Sequence, residues 1–350
     1  MGSDAVVLEV DGPHGVRQVR LSSPGRVMWP QAGLTKRDLA DYVVAVGPSL
    51  MTALGDRPVT LQRFPDGVEG EEFFSKNPPR GVPEWVRTVT VTYPSGRRHL
   101  QLVVDEPATA LWTVQMNTVT WHPWPVRTAN LDNPDELRID LDPQPGRGFR
   151  DAVEAAVLLR ELLGELGLTA WVKTSGNRGV HVFARIRPDL EFLDVRHAVI
   201  GIGRELERRA PELVTMAWWK EERGSRVFVD FNQTNRDRTI ASAYSPRPLP
   251  HAPVSMPVTW DELPDVDPTE FTVRTVPQVL AARPHAWAGM DDAVGTLDKA
   301  TALWQADVER GLGELSFPPD YPKMPGEPPR VQPSKKVTAN WDGEGNRVDG

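Results

Sequence analysis

Three short segments carry residues able to do chemistry, and they fall in order: Asp140-Leu141-Asp142-Pro143, Ser175-Gly176-Asn177-Arg178-Gly179-Val180-His181 and Val227-Phe228-Val229-Asp230. Side chains alternate sides along a strand, so Ile139 and Leu141 can face a core while Asp140 and Asp142 share the opposite face. Aspartate is depleted in strands and neighbouring carboxylates repel, so the pair calls for a compensating cation such as Mg2+ or Mn2+. Asp230 ends an apolar strand, where a carboxylate buried without a partner is costly. The Ser-Gly-Asn-Arg-Gly turn offers backbone N–H groups, the Ser175 hydroxyl, Arg178 and, just beyond, His181, a set suited to phosphate oxygens. Each segment also has an ordinary reading: Asp142-Pro143 as a turn start, the glycine turn as a hairpin loop, His181 or His122 as a structural histidine. Their conjunction favours a metal-and-triphosphate site.

The elements that must position these residues follow from periodicity. From Glu136 the pattern predicts a strand (about 136–141), an amphipathic helix (about 149–166, closed by Gly167), a strand (170–174), a tight turn (175–179) and a strand (180–186). A helix from about Asp194 to Ala210 and a strand (226–231) complete a β-α-β-β-α-β order, the split βαβ or ferredoxin-like unit of an α+β fold. In that unit the first strand lies between the third and fourth, antiparallel to both, so Asp140 and Asp142 would neighbour both His181 and Asp230. Upstream, Thr35 and Asp38 resemble a capping box opening a helix with Leu39, Tyr42, Val43, Val46 and Leu50 on one face. Strand-like runs at Val59 to Arg63, Thr88 to Tyr93 and Leu100 to Val104 make residues 55–130 read as a mostly β region. Downstream, a helix is expected from about Trp287 to Arg310. Seven prolines between Phe317 and Pro333 mark a tail that is disordered or draped in extended form. The expected organisation is one catalytic domain over residues 1–315, with an N-terminal portion to about 130, a core to about 262 and a helical portion to about 315, followed by the proline-rich stretch 316–350.

Composition narrows the function classes. The 350 residues are 39% hydrophobic, enough for a sizeable core, and contain no cysteine, which excludes disulfides, zinc-thiolate sites and thiol catalysis. There is no apolar run of membrane-span length and no signal-peptide pattern at the N-terminus, so the expectation is a cytoplasmic protein with no membrane partner. A net charge of −8 argues against an indiscriminate nucleic-acid coat. Between Lys220 and Pro250, however, six basic residues stand against four acidic ones, a small basic site on an acidic body.

These residues carry a resemblance to the polymerase domain of bacterial ATP-dependent DNA ligase D, in the archaeo-eukaryotic primase superfamily, and most of all to stand-alone actinobacterial primase-polymerases. It runs from about Ser22 to Glu262 through Ser-Pro-Gly-Arg-Val-Met-Trp-Pro (23–30), Thr35-Lys36, Phe73-Phe74-Ser75-Lys76, Trp121-His122, Ile139 to Pro143, Thr174 to His181, Val227 to Gln233 and Ala243 to Arg247. The resemblance implies that Asp140, Asp142 and Asp230 bind two divalent metals, Mn2+ or Mg2+, for in-line displacement of pyrophosphate. It implies that Ser175, Gly176, Arg178, His181, Gln233 and Arg247 hold the nucleoside triphosphate, joined by Arg223, and that His122 is a functional active-site histidine. Phe73 and Phe74 would stack on a base, and Arg26 and Lys36 would grip a 5′ phosphate beyond a gap. The implied activity is template-dependent extension of primers at short gaps, overhangs or breaks, with ribonucleotides preferred, in DNA repair and non-homologous end joining. The implied partners are 5′-phosphorylated DNA, nucleoside triphosphates, a separate DNA ligase and an end-binding protein, since no ligase domain or nuclease motif is evident. Arg26 stands where many relatives have lysine, Gln62 where many have a basic residue, and Ser23 for a frequent asparagine. De novo priming, or a metal-dependent phosphodiesterase or silent end-bridging role, are the alternatives; the triphosphate cluster and the three intact aspartates weigh against the last two.

Overall fold

The computed structural model describes residues 5–317 apart from Arg80, residues 93–97 and Asp237. The chain opens with a hairpin, β1 (Val6–Val10) and β2 (Arg17–Leu21), then a short pair, β3 (Val27–Trp29) and β4 (Leu34–Thr35), leading into α1 (Lys36–Leu54). The helix starts where Thr35 N–H donates to Asp38 Oδ2 at 2.7 Å and Asp38 N–H donates to Thr35 Oγ1 at 3.3 Å. This is the reciprocal cap that the spacing predicts, and the expected apolar face of α1 is buried.

The next region is mostly β, as expected: β5 (Pro58–Arg63), β6 (Phe73–Ser75), β7 (Thr88–Thr92) and β8 (Arg98–Val103). It is interrupted by α2 (Pro107–Gln115) before β9 (Thr118–Pro123) returns to pair with β5. The sequence reading has no helix here. α2 is buried nearly all round, so it shows no apolar stripe from which a helical period could be read.

The core realises the predicted order with β10 (Glu136–Pro143), α3 (Phe149–Glu165), β11 (Trp171–Thr174), β12 (Val180–Arg185), α4 (Phe192–Arg209), β13 (Val214–Thr215) and β14 (Val227–Asp230). With β15 (Pro257–Val258) the sheet runs β13-β14-β10-β12-β11-β15, and β10 lies between β12 and β14, antiparallel to both. β10 reaches Pro143, two residues past the expected end, so Asp142 is still within the strand. Both helices pack on the sheet and on each other.

The C-terminal portion holds α5 (Val276–Ala282) and α6 (Asp298–Glu309). The helix expected from Trp287 starts only at Asp298, because Gly289 adopts φ +78° ahead of a single 3-10 turn and Gly295 is packed against Leu168, where a Cβ would lie 2.5 Å from Leu168 Cδ2. Phe317 is 2% exposed, so the body extends beyond residue 315. The expectation for the tail from 318 onward lies outside the described residues. Among the described residues no helix is long and apolar enough to cross a membrane.

Candidate active site

Asp140 is the direct cross-strand partner of Asp230 on one side and of His181 on the other, and His181 in turn faces Lys173. Lys173, His181, Asp140 and Asp230 thus form a row across four strands. His181 Nε2 lies 3.4 Å from Asp140 Oδ1, and its Nδ1 lies 2.7 Å from Lys173 Nζ, which also reaches Ser255 Oγ. Lys173 escaped the sequence reading, although a lysine inside the buried strand Trp-Val-Lys-Thr is a signal in itself. Burial, then Arg247, pushes its ammonium well below the usual lysine range.

Asp142, exposed, accepts from Gln144 Nε2 at 3.2 Å. Asp230 accepts from Asn232 N–H at 2.9 Å and from Gln233 Nε2 at 3.1 Å. None of the three carboxylates has an arginine or lysine within ion-pair distance among the described residues. Burial, and then the charges of Asp230 and Asp142, push Asp140 up to about 8; Asp230 is also raised, chiefly by burial. Carboxylate oxygens are the donors that hard divalent cations such as Mg2+ and Mn2+ take, and the mutual repulsion is what such a cation relieves. Among the described residues no three such side chains are gathered into a closed metal cage. The repelled carboxylates lean instead on the amides of Gln144 and Gln233.

The glycine turn lies beside this row. Gly176 has φ +75°, and a Cβ there would sit 2.6 Å from Arg247 Cγ, so glycine lets the arginine lie against the turn. Ser175 Oγ accepts from the N–H groups of Asn177 and Gly179, each at 3.1 Å. The expectation that these backbone N–H groups are open to an anion is corrected here: two of them are taken by the serine oxygen, because the turn is tight enough to close on its own side chain. His122, Ser175, Arg178, His181, Gln233 and Arg247 line one pocket with Asp140 and Asp142. Among the described residues Arg247 Nε and Gln233 Oε1 are buried without a hydrogen-bond partner, and both face the pocket.

His122 joins this pocket from β9. Its Nε2 lies 3.3 Å from Gln62 Oε1 and its ring meets Phe74 edge-on at 5.4 Å. Burial, then Arg247 and Lys173, lower it to about 3, so it is neutral. Phe73 and Phe74 are 41% and 49% exposed, unusual for phenylalanine, and the Arg63 guanidinium lies 4.8 Å over the Phe73 ring.

Two expected placements change. Arg223 lines a second pocket with Trp218, Lys220, Phe228 and Arg238, and among the described residues Asp140, Asp142 and Gln233 line both pockets. It lies over the Phe228 ring at 3.5 Å and donates to the Ala217 and Trp218 carbonyls, so its own loop holds it apart from Arg247. Lys36 is close to Arg26, whose carbonyl accepts the Lys36 N–H at 2.8 Å, but its side chain turns inward. Lys36 Nζ donates to Gln115 O at 2.6 Å at the end of α2, and burial, then Arg26, lower it to about 8. Arg26 stays 42% exposed, near Asp66 at 3.8 Å and bonded to the Pro65 carbonyl.

The split βαβ order and the row of side chains across the middle of its six-stranded sheet define an α+β domain with one polar site at its centre. The chain belongs to the family of the LigD primase-polymerase domain, whose model matches residues 35–287. It is 33% identical over 298 residues to the multifunctional non-homologous end joining protein LigD of Pseudomonas aeruginosa, covering 84% of this chain and 35% of that protein. It is 30% identical over 256 residues to LigD of Mycolicibacterium smegmatis, covering 73% and 34%. The chain therefore spans about a third of the length of these relatives. Among solved structures it matches the polymerase domain from Mycobacterium tuberculosis Ligase D in complex with DNA, with a TM-score of 0.73 and 28% identity over 78% of this chain and 97% of that one.

Proposed function

We propose that this chain extends primers at short gaps and broken ends of DNA in end joining, copying a template and preferring ribonucleotides. The observation that carries the reading is the register of β10, which puts Asp140 between Asp230 and His181 beside a pocket lined by Arg247 and the glycine turn. Asp140, Asp142 and Asp230 would hold two divalent cations, Mn2+ or Mg2+, which when bound offset the charge of the reacting phosphates and of the departing pyrophosphate. Arg247, Arg178 and the Ser175 hydroxyl bind the triphosphate oxygens, and the unpartnered Arg247 Nε and Gln233 Oε1 gain their missing hydrogen bonds from the nucleotide. His181, anchored from behind by Lys173, presents Nε2 to the same space, while His122, neutral, serves beside it. Phe73 and Phe74 stack on a base; every base has a π face, so the contact tolerates any sequence. Arg26 supplies the accessible charge for a 5′ phosphate and Lys36 supports that loop from within, while Arg223 acts from the adjoining pocket. DNA bearing a 5′ phosphate and nucleoside triphosphates are the substrates, and a ligase and an end-binding protein are the partners such work requires.

The test is primer extension on a gapped duplex with a 5′ phosphate, comparing ribonucleotides with deoxyribonucleotides and Mn2+ with Mg2+, with Asp140→Ala as control. Addition that disappears in the variant supports the reading. A wild-type protein that binds the duplex but adds nothing overturns it.

A further inference from the structure

The family match ends at residue 287, yet the chain continues through α6 and returns to the site. α6 lies so close to α4 that a Cβ on Gly201 would stand 2.8 Å from the Trp304 backbone nitrogen, and the Trp304 ring stacks on His197 at 4.3 Å with planes 4° apart. Gly311, at φ +83°, follows α6, and residues 314–317 meet Arg196 near the start of α4. Arg196 is fully buried. Its guanidinium binds the Glu314 carboxylate, donates to Leu315 O at 2.8 Å and Ser316 O at 3.3 Å, and donates from Nε to Asn232 Oδ1 at 3.3 Å. Phe317 lies 3.9 Å from it and Phe231 5.3 Å. Asn232 in turn donates from Nδ2 to Ser316 O at 3.2 Å, and its backbone N–H donates to Asp230 Oδ1 at 2.9 Å.

We propose that Arg196 and the segment from Glu314 to Phe317 form a positioning clamp for Asp230, built from chain beyond the matched domain. The clamp grips the Asn232 side chain at both its oxygen and its nitrogen, which fixes the backbone N–H that orients the Asp230 carboxylate. This rests on the proposed role of Asp230 in holding divalent cations. Partners of ligand carboxylates matter in this way because an unrestrained carboxylate must be ordered each time a cation binds, and removing such a partner costs about 10- to 100-fold in metal affinity.

The test uses the full chain with Arg196→Met, which keeps the packing between the phenylalanines, and the milder Glu314→Gln. Mn2+ alone is titrated and free Mn2+ read by electron paramagnetic resonance; primer extension against Mn2+ concentration is run well below each unfolding midpoint. Asn232, not Arg196, bonds Asp230 directly, so Arg196→Met is expected to raise the half-saturating Mn2+ concentration by up to about 10-fold, and Glu314→Gln to raise it by a smaller factor. The KM for nucleotide at saturating Mn2+ stays near wild type in both. A lowered unfolding midpoint with unmoved Mn2+ curves would make the segment merely structural and overturns the clamp; if Arg196→Met does not fold, the Glu314→Gln curve decides. An Asp230→Asn control that binds Mn2+ as wild type does would instead remove the cation reading on which the clamp stands, so the two failures are told apart.

Discussion

The two ends of β10 hold acidic residues in opposite circumstances. At its start, Asp135 and Glu136 are enclosed by four arginines: Arg57 bridges both oxygens of Asp135 at 2.6 and 2.8 Å, Arg127 and Arg185 reach Asp135 at 2.9 and 3.1 Å, and Arg138 holds Glu136 at 2.7 Å. These guanidinium groups hold both carboxyls below the usual carboxylate range despite their burial. At the far end Asp140, Asp142 and Asp230 converge with one uncharged histidine for company, and Asp140 is pushed up to about 8. The fold neutralises buried carboxylates with its own cations where they serve structure. Leaving Asp140 and Asp230 side by side without a cationic partner among the described residues, with the exposed Asp142 one step along the strand, sets that end apart, and it is there that the proposed cations would supply the missing charge.

The comparison breaks most visibly through Asp140→Asn. Nucleotide addition is expected to fall to background, while the metal-free variant unfolds at the same urea concentration as wild type or a higher one, because a repelled carboxylate has gone. A variant both inactive and clearly destabilised would mean that Asp140 belongs with the structural acids. Arg57→Met makes the converse cut. Removing one member of a buried ion cluster leaves charge uncompensated, so unfolding free energy should drop by about 3–5 kcal/mol, with extension by the folded fraction little changed. A drop under about 1 kcal/mol, the worth of a surface pair, would show that the cluster at the start of β10 is not what holds that end together.

The open end was legible in the sequence and the paired end was not. Asp140, His181 and Asp230 sit in segments with strong strand periods, and the β-α-β-β-α-β order leaves one way to align them, so their convergence follows from topology. Arg57 and Asp135 are 78 residues apart in different units, and nothing local ties an arginine near β5 to an acid at β10. The direction of a long side chain is equally hidden: Lys36 sits where expected beside Arg26 but points at the end of α2, a helix whose all-round burial erased its period. The resemblance groups Arg223 with Arg247, and only the three-dimensional course of its loop places it across the carboxylates. Phe317 sits at the start of a proline-rich stretch and reads as tail, yet its ring is buried against Arg196, a contact across the fold that no local pattern announces.

The smallest effect expected is in the pH dependence of stability, where the two ends occupy separate windows. Asp140 rises from an ordinary value of 3.8 to about 8 on folding. Folding therefore holds a proton that the unfolded chain has released, and stability in the presence of a chelator falls as pH rises from about 4 to about 8, then levels. Asp135 and Glu136 have the opposite sign: their contribution is present above their unfolded values and is lost as pH falls through the lowered folded ones, an acid limb distinct from the neutral one. Urea midpoints across pH 5 to 8 for wild type and Asp140→Asn, each in chelator, isolate the neutral limb. His122, held neutral by burial, reduces stability in both proteins as pH falls below about 6.5 and so drops out of the difference, whereas His181 and Lys173 feel the Asp140 charge and change with it, so the sign of the difference and its response to Mn2+ are what is read. The effect is modest because Asp140 keeps a fifth of its side chain in water. Mn2+ competes with that proton, so adding it should flatten the wild-type curve and leave the variant's nearly unmoved. Equal slopes in the two proteins, or a wild-type slope indifferent to Mn2+, would mean that the repulsion around Asp140 is already relieved within the chain, and the contrast between the ends of β10 would no longer point to a cation site.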